Sequence, residues 1–532
     1  MRQNLFRTTT LKIFIIVLLG GLFNACQDDD DFYVLKQGDI IIDQPLGGFK
    51  AKFDQLFTIE PVSTSDEGVS YQWKLDNEVI SKVKKLEYTF NEVGEYTLLL
   101  IASQEINSFE YPVKVIVGYD YILQKDDITF DIPEDGLIAE IDKLFKLEIK
   151  TVSDEGLTYE WFLDEESEGT RKEFEYMFDT NGEYDLKLVV SQADIKYEYS
   201  FIVKAEFSGT VAPPFEGDSP YITKVFDYVP AVGQFTNKLP KYEIGDTQEV
   251  MNEKVLATIG NGKKGMITLG GYGGYVVVGF DHTIQNIKGK RDFRVLGNAF
   301  YANANPKPGA PVGGSCEPGI IMVAYDKNKN GKPDDDEWYE ISGSGHEDHT
   351  KEAWYEMAVV NKNDTKLYRN YEIIYHKPDE NKEPVKDPKQ NFATDAEYIK
   401  WEDNQGNSGY KVKNVYHNQS YYPQWIVEDK LIFKGTCLPQ NGIDESGQGN
   451  YYVLYKFDYG YADNELNNKD DSAIDIDWAI NSKGQKVNLP GVDFVKVYTG
   501  VNQENGWLGE NSTEFSGVED LHILKVDIDT RE

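Results

Sequence analysis

The chain of 532 residues carries 91 acidic and 54 basic side chains, a formal charge of −37 at neutral pH. A surface this negative repels polyanions, which excludes a nucleic-acid partner, while suiting solubility and the binding of cations. One long apolar run occurs, Ile13 to Phe23, and no later run is long enough to span a membrane.

The N-terminus is read first. Arg2, Arg7 and Lys12 precede the 11-residue apolar run, which is too short for a stable transmembrane helix but right for a signal-peptide core. Ala25 stands directly before Cys26, and Asp28 to Asp31 follow. This arrangement resembles the lipid-attachment site of bacterial lipoproteins, and the acid run resembles the surface-export signal of Bacteroidota lipoproteins. It implies a leader over 1–25, an acylated Cys26, an acidic tether over 26–32, and a mature chain held at the outer-membrane surface by lipid alone. Setting Cys26 aside, Cys316 and Cys437 are left either to pair in an oxidising compartment or to stay buried and reduced.

The next segments repeat. Ser65-Asp66-Glu67-Gly68 matches Ser153-Asp154-Glu155-Gly156, Tyr71-Gln72-Trp73 matches Tyr159-Glu160-Trp161, and Gly94-Glu95-Tyr96 matches Gly182-Glu183-Tyr184, each pair 88 residues apart. Apolar residues alternate in Tyr71, Trp73, Leu75 and in Tyr96, Leu98, Leu100, which predicts short antiparallel strands of a sandwich with the Trp in its core. The two Ser-Asp-Glu-Gly segments are explained by turn chemistry. The module length, Y-x-W strand and G-x-Y turn resemble the PKD and bacterial immunoglobulin-like families, which implies spacers over 33–118 and 119–206.

A Gly-, Pro- and Ser-rich stretch predicts a linker over 207–220. Beyond it, over 221–532, apolar runs predict buried strands at Tyr275 to Phe280, Ile320 to Tyr325, Tyr451 to Phe457 and Phe494 to Tyr498. Gln248 to Thr258 is the best candidate for a short helix, and the charged, Pro-bearing stretch Lys377 to Lys400 predicts an exposed loop. The expected fold class is all-β: two tandem Ig/PKD-like sandwiches, then a large β-sandwich or jelly roll.

The sharpest local motif is Asp326-Lys-Asn328-Lys-Asn330-Gly331-Lys332-Pro-Asp334-Asp-Asp-Glu337, which fits the calcium-loop pattern D-x-[DN]-x-[DN]-G-x₅-E. Asp326, Asn328 and Asn330 place oxygens at alternate positions, and Gly331 permits the sharp turn. The Lys332 carbonyl, Asp334 and Glu337 would complete a shell of hard oxygens for a structural Ca²⁺. Strands on both sides and Pro333 distinguish it from an EF-hand.

Other constellations carry less. His346-Glu347-Asp348-His349 reads as a solvated loop, and Asp281-His282 as a strand-end hydrogen bond. The Gly270–Gly274 stretch precedes a strand, so no phosphate cradle is expected. No G-x-S-x-G elbow or recognisable carboxylate pair appears, and the chain is expected not to be an enzyme. Loop stretches rich in rings and amides around His417, Tyr421, Tyr422, Trp425, Tyr461 and Trp507 suit a flat or polyhydroxylated ligand.

Ser219–Tyr228, Gly279–Ile284, Phe293–Phe300, Glu317–Ile320 and Pro333–Glu340 resemble Bacteroidota "cell surface protein" lipoproteins, which set PKD-like repeats before a β-rich C-terminal domain. That resemblance implies nutrient capture beside a TonB-dependent transporter. The expected ligand is a corrinoid such as cobalamin, with His417 near the cobalt; glycan binding is the alternative, and an adhesive or structural role comes third.

Overall fold

The computed structural model describes residues 33–207, 211–302 and 310–531. Cys26, the leader and the acidic tether lie outside the described residues. The fold is all-β, and the chain divides into two compact units. One comprises residues up to Asp127 with Thr151–Leu157 and Ser191–Ile195; the other comprises Ile128–Lys150, Thr158–Val190 and Lys196–Glu532.

In the first unit a five-stranded sheet runs in the order Phe49–Lys52, Asn107–Gly118, Gly94–Gln104, Ser70–Leu75, Glu78–Ser81. An antiparallel pair, Leu56–Ile59 with Leu86–Thr89, supplies the other apolar face. Alternation sets the burial. Tyr71 and Trp73 point into the core beside Leu98, Leu100, Val113 and Val115, while their neighbours face water. The second module repeats this order with Leu137–Glu140, Ile195–Glu206, Gly182–Gln192, Thr158–Leu163 and Glu166–Gly169.

The duplication reaches individual hydrogen bonds. Gln104 accepts from Leu35 N (2.7 Å) and donates to the carbonyls of Tyr33 and Glu67 (both 2.8 Å). Gln192 accepts from Leu123 N (2.9 Å) and donates to the carbonyls of Tyr121 (3.0 Å) and Glu155 (2.7 Å). In the turns, Ser65 Oγ accepts from Glu67 N and Ser153 Oγ from Glu155 N, each at 3.2 Å. These are ordinary Ser/Asp turn contacts.

The C-terminal region is built on a six-stranded antiparallel sheet ordered Lys224–Val229, Tyr275–Gln285, Gly491–Thr499, Gly319–Ala324, Trp338–Ile341, Ala479–Ile480. Each of the four expected runs contains a strand, three of them in this sheet, although Tyr451, Lys456, Phe457 and Tyr325 fall outside. The helix Gln248–Ile259 closes one face: Thr247 caps Val250 N, and Met251, Val255 and Ile259 are buried. Beside the six-stranded sheet lie a three-stranded sheet (Ala473–Ile474, Phe293–Leu296, Gly517–Asp520), the pair Ile267–Thr268 with Glu514–Phe515, and two four-stranded sheets. One is ordered Ser408–Asn414, Ala393–Asp403, Tyr368–His376, Lys430–Cys437; the other Phe300–Tyr301, Gly313–Ser315, Tyr452–Tyr455, Gly442–Asp444.

Two expectations are corrected. The stretch after Glu206 is not a free linker, because Phe207 packs 5.6 Å from the Tyr325 ring, Gln285 Nε2 donates to the Val211 carbonyl (2.9 Å), and Asp520 N donates to that of Pro220 (2.8 Å). The second module is seated on the C-terminal region, with Asn181 Nδ2 donating to the Asn488 carbonyl at 2.8 Å. The exposed loop expected to reach Lys400 gives way at Ala393 to the strand Ala393–Asp403. Cys316 and Cys437 are both buried free thiols, so the reduced alternative holds. Among the described residues no helix is long and apolar enough to cross a membrane.

Candidate functional site

The aromatic segments single out a problem of supply. A large β domain with long loops buries many backbone groups, and each needs a partner. The loop amides meet that need first. Asn237 donates to the carbonyls of Ser420 (2.7 Å) and Tyr422 (2.9 Å), and its Oδ1 accepts from Gln424 N (3.0 Å), so it pins the segment from 417 to 425 from within. Gln503 does the same for Gly442, accepting from its N (2.8 Å) and donating to its carbonyl (2.7 Å).

The rings of that segment consequently turn inward. Tyr421 and Tyr422 are buried; the Tyr421 hydroxyl accepts from Asn414 N at 2.8 Å and the Tyr422 hydroxyl donates to the Glu428 carbonyl at 2.7 Å. Trp425 stacks on Tyr228 (5.8 Å, 20°) and donates to Gln248 Oε1 at 3.0 Å. Tyr461 lies buried against His346, whose Nε2 meets Glu340 Oε1 at 2.6 Å. These four tyrosine and tryptophan side chains are core, which corrects their assignment to a ligand surface. His346 is corrected with them: it belongs to a buried polar network, not a solvated loop. Asp281 and His282 hold the expected local bond (3.0 Å), with His282 Nε2 also on Asp520 at 2.8 Å.

Trp507 has a different setting. It is 43% exposed and lines a cavity of about 390 Å³ together with Phe235, Phe300, Tyr451, Tyr452 and Leu508. Phe300 is 57% exposed, Phe235 40% and Tyr451 41%, so the mouth is ringed by aromatic faces that folding has left in water. His417 stands just outside, edge-on to Phe235 at 4.9 Å.

The floor is acidic. Glu317, Glu510 and Glu514 line the cavity, and Asp463 lies behind them. One oxygen from each of Glu317, Asp463 and Glu514 falls within 4.8 Å of the others. Burial raises the pKa of Glu317, with the Asp463 charge adding to it; burial raises Asp463; burial and then Glu317 raise Glu514 well above the carboxylate range. Elsewhere in the same unit burial pushes Glu352 up to about 7 and Asp475 up to about 6.

A raised carboxyl pKa means that the folded chain holds protons the unfolded chain has released, so stability falls as pH rises from about 4.5 through neutrality. With chelator present, the urea midpoint is expected to be higher at pH 5.5 than at pH 8.5, and Glu514→Gln is expected to flatten the slope. A midpoint that rises with pH over this interval would contradict the assignment.

The second site is the loop from Asp326 to Glu337. Asp326 accepts from Asn330 N (3.0 Å) and Gly331 N (2.7 Å), and Glu337 accepts from Lys327 N (3.0 Å) and Asp334 N (3.2 Å). Gly331 has φ +73°, the left-handed turn for which glycine is suited. Asn328 Nδ2 and Asn330 Nδ2 both donate to Asp334 Oδ2, at 2.5 and 2.7 Å. Asn328 Oδ1 and Asn330 Oδ1 accept from Asn330 N (3.0 Å) and Lys332 N (2.7 Å), so the oxygens of Asp326, Asp334 and Glu337 are the ones that fit a hard cation.

The cavity residues run from Gln234 to Glu514, and no local motif joins them. Glu514, Phe235, Tyr451 and Tyr452 were not legible as site residues. Trp507 is the one ligand candidate from the sequence that lines it.

A family model for the PKD-like domain matches residues 39–104. No curated protein matches the chain. Among solved structures, fibronectin(III)-like modules of Clostridium thermocellum CbhA align at 18% identity over 31% of this chain and 93% of theirs, TM-score 0.17. The N-terminal four Ig domains of Dscam1 isoform 7.44 align at 9% identity over 30% of this chain and 42% of theirs, TM-score 0.17. Tandem Ig repeats of Dlar align at 6% identity over 30% and 94%, TM-score 0.14. The PKD-like match falls on the first of the two repeats, whose sheet order the second shares, in an all-β architecture.

Proposed function

We propose that this chain is a lipid-anchored protein of the bacterial outer surface whose C-terminal domain captures a small polyhydroxylated ligand, a glycan unit, for a TonB-dependent transporter. Ig/PKD-like modules suit an extracellular, adhesive or structural role, and they carry the domain outward from Cys26. The observation that supports capture is the cavity itself: exposed rings at the mouth offer stacking faces, and carboxylates and amides below accept and donate to hydroxyls. Its acidic floor and the net charge of −37 favour neutral or amino sugars over acidic ones. A volume of about 390 Å³ suits one or two sugar rings better than a corrinoid, and the residues first assigned to cobalamin are mostly core. A calcium ion in the 326–337 loop would stiffen the domain. The role is binding, not catalysis.

Isothermal titration of the chain from Gln27 onward against glucosamine, mannose, chitobiose and cyanocobalamin tests this reading. Saturable heat with a sugar is expected, weakened at least tenfold by Trp507→Ala, or about 1.4 kcal/mol. Because Trp507 is substantially exposed, its loss should leave the melting temperature unchanged. Cyanocobalamin binding without sugar binding would restore the corrinoid reading; silence with every ligand would leave an adhesive or structural role.

A further inference from the structure

A second cavity, of about 460 Å³, opens on the C-terminal region and shares no residue with the one at Trp507. Pro311, Val312, Ala353 and Trp354 give it an apolar side, and Glu347, Asp348, Glu352 and Asp458 an acidic one. Three of these carboxylates already have partners. Asp348 accepts from Thr350 N (3.2 Å) and pairs with Lys351 (3.3 Å), Asp458 pairs with Arg531 (2.5 Å), and Glu347 takes the Tyr459 hydroxyl. Lys456, the cavity's other lysine, is engaged by Glu465 at 2.7 Å.

Glu352 is the exception. It is only 8% exposed, and no Lys, Arg or His forms an ion pair with it among the described residues. Its Oε2 accepts from Asp458 N at 3.2 Å, while its Oε1 has no hydrogen-bond partner among them. The Ser344 hydroxyl beside it has one proton, for which the Tyr459 carbonyl competes at 3.4 Å. A buried carboxylate oxygen without a donor is costly, and one in a cavity wall gains its donor from what enters the cavity.

The surroundings narrow what enters. A net charge of −37 draws cations to this surface. A hard metal ion needs several oxygens, and here a single carboxylate is uncommitted. An ammonium group needs one acceptor of this kind, and its hydrocarbon stem needs an apolar wall.

We propose that this cavity binds a primary alkylammonium ligand, with Glu352 accepting from the NH₃⁺ group and Pro311, Val312, Ala353 and Trp354 packing against the hydrocarbon chain. The site is independent of the glycan reading and of the 326–337 loop.

The binding should depend on pH. Burial pushes the Glu352 carboxyl up to about 7; the Ser344 hydroxyl pulls it down, the Asp458 charge raises it, and the Asp458 amide and Lys456 lower it. Tyr461, close by, stays neutral because burial holds its pKa well above 10. The cavity's remaining charged groups, Glu347, Asp348 and Lys351, are engaged as described. Glu352 must ionise to hold an ammonium, and an alkylammonium keeps its proton to about pH 10, so affinity is expected to rise about tenfold from pH 6 to pH 8.

The test is isothermal titration of the chain from Gln27 onward with isoamylamine, isoamyl alcohol serving as the uncharged match. Saturable heat with the amine at pH 8 is expected, at least tenfold weaker with the alcohol. Glu352→Gln is expected to weaken the amine at least tenfold and to remove the pH dependence. Glutamine keeps the volume and removes a buried charge, so this variant should melt at or above the wild-type temperature, which separates lost binding from misfolding. Ala353→Phe, which fills the cavity and leaves Glu352 in place, should block binding as well, and Trp507→Ala should leave it intact. Putrescine and Nα-acetyl-lysinamide, titrated alongside, distinguish a free diamine from a lysine side chain as the source of the ammonium. Amine affinity that is unchanged in Glu352→Gln would overturn the proposal, as would equal affinity for the alcohol or no heat with any amine at pH 8.

Discussion

Trp73→Ala is expected to melt the first module well below the rest of the chain. Trp73 is fully buried among Leu98, Leu100, Val113 and Val115, and its Nε1 donates to the Lys84 carbonyl at 3.1 Å. Truncation leaves a ring-sized cavity and orphans that carbonyl, a cost of about 3–5 kcal/mol. Set against the 5–15 kcal/mol typical of a whole domain, that is a large part of the total. For a module of this size each kcal/mol moves the midpoint by about 4–8 °C, so a shift on the order of 20 °C is expected. Calorimetry should show it as one early transition, with the larger unit's transition unmoved. Trp161 occupies the equivalent position, donating to the Arg171 carbonyl at 3.1 Å, but its module is seated on the C-terminal region through Asn181. Trp161→Ala should therefore disturb the larger unit instead. A single transition that both variants lower equally would contradict this division.

The contrast between modules and cavity explains what could be read in advance. The repeat was legible because one fold written twice preserves side chains at a fixed offset: Trp73 and Trp161 mark the cores, and Gln104 and Gln192 bind equivalent backbone groups. Tyr33 with Tyr121, and Leu35 with Leu123, share that offset and would have extended the match upstream. The helix was legible because Thr247 caps a run that buries every fourth residue, Met251, Val255 and Ile259. Burial of individual rings was not. A Tyr on a loop and a Tyr in a core look alike in a sequence, and only Asn237, some 180 residues before Tyr421, decides which one the segment becomes. The cavity floor is harder still, since Glu317 and Asp463 lie in loops and meet Glu514 through hydrogen bonds that join distant parts of the chain, Glu317 N to the Asp463 carbonyl and Glu514 N to Asp463 Oδ2, both at 2.9 Å.

The 326–337 loop is where local pattern and structure meet most closely, and Asp326→Ala should show whether calcium is what it holds. Asp326 anchors the loop by accepting from two backbone amides, and Glu337, almost fully buried, ties its ends by accepting from two more. Asp334, Asn328 and Asn330 then crowd one point. Lys327 extends the effect beyond the loop, pairing with Asp336 at 2.7 Å and donating to the Asp179 carbonyl of the second module at 3.3 Å. A bound ion would thus stiffen both the domain and its seat for that module. At a hundred times its dissociation constant it adds about 2.7 kcal/mol to stability, or roughly 5–10 °C for a unit of this size. Chelator should lower the larger unit's melting temperature by that amount. Asp326→Ala is expected to abolish that chelator shift. A shift of the same size with and without Asp326 would mean that the loop is an acidic turn that orders itself through its own amides.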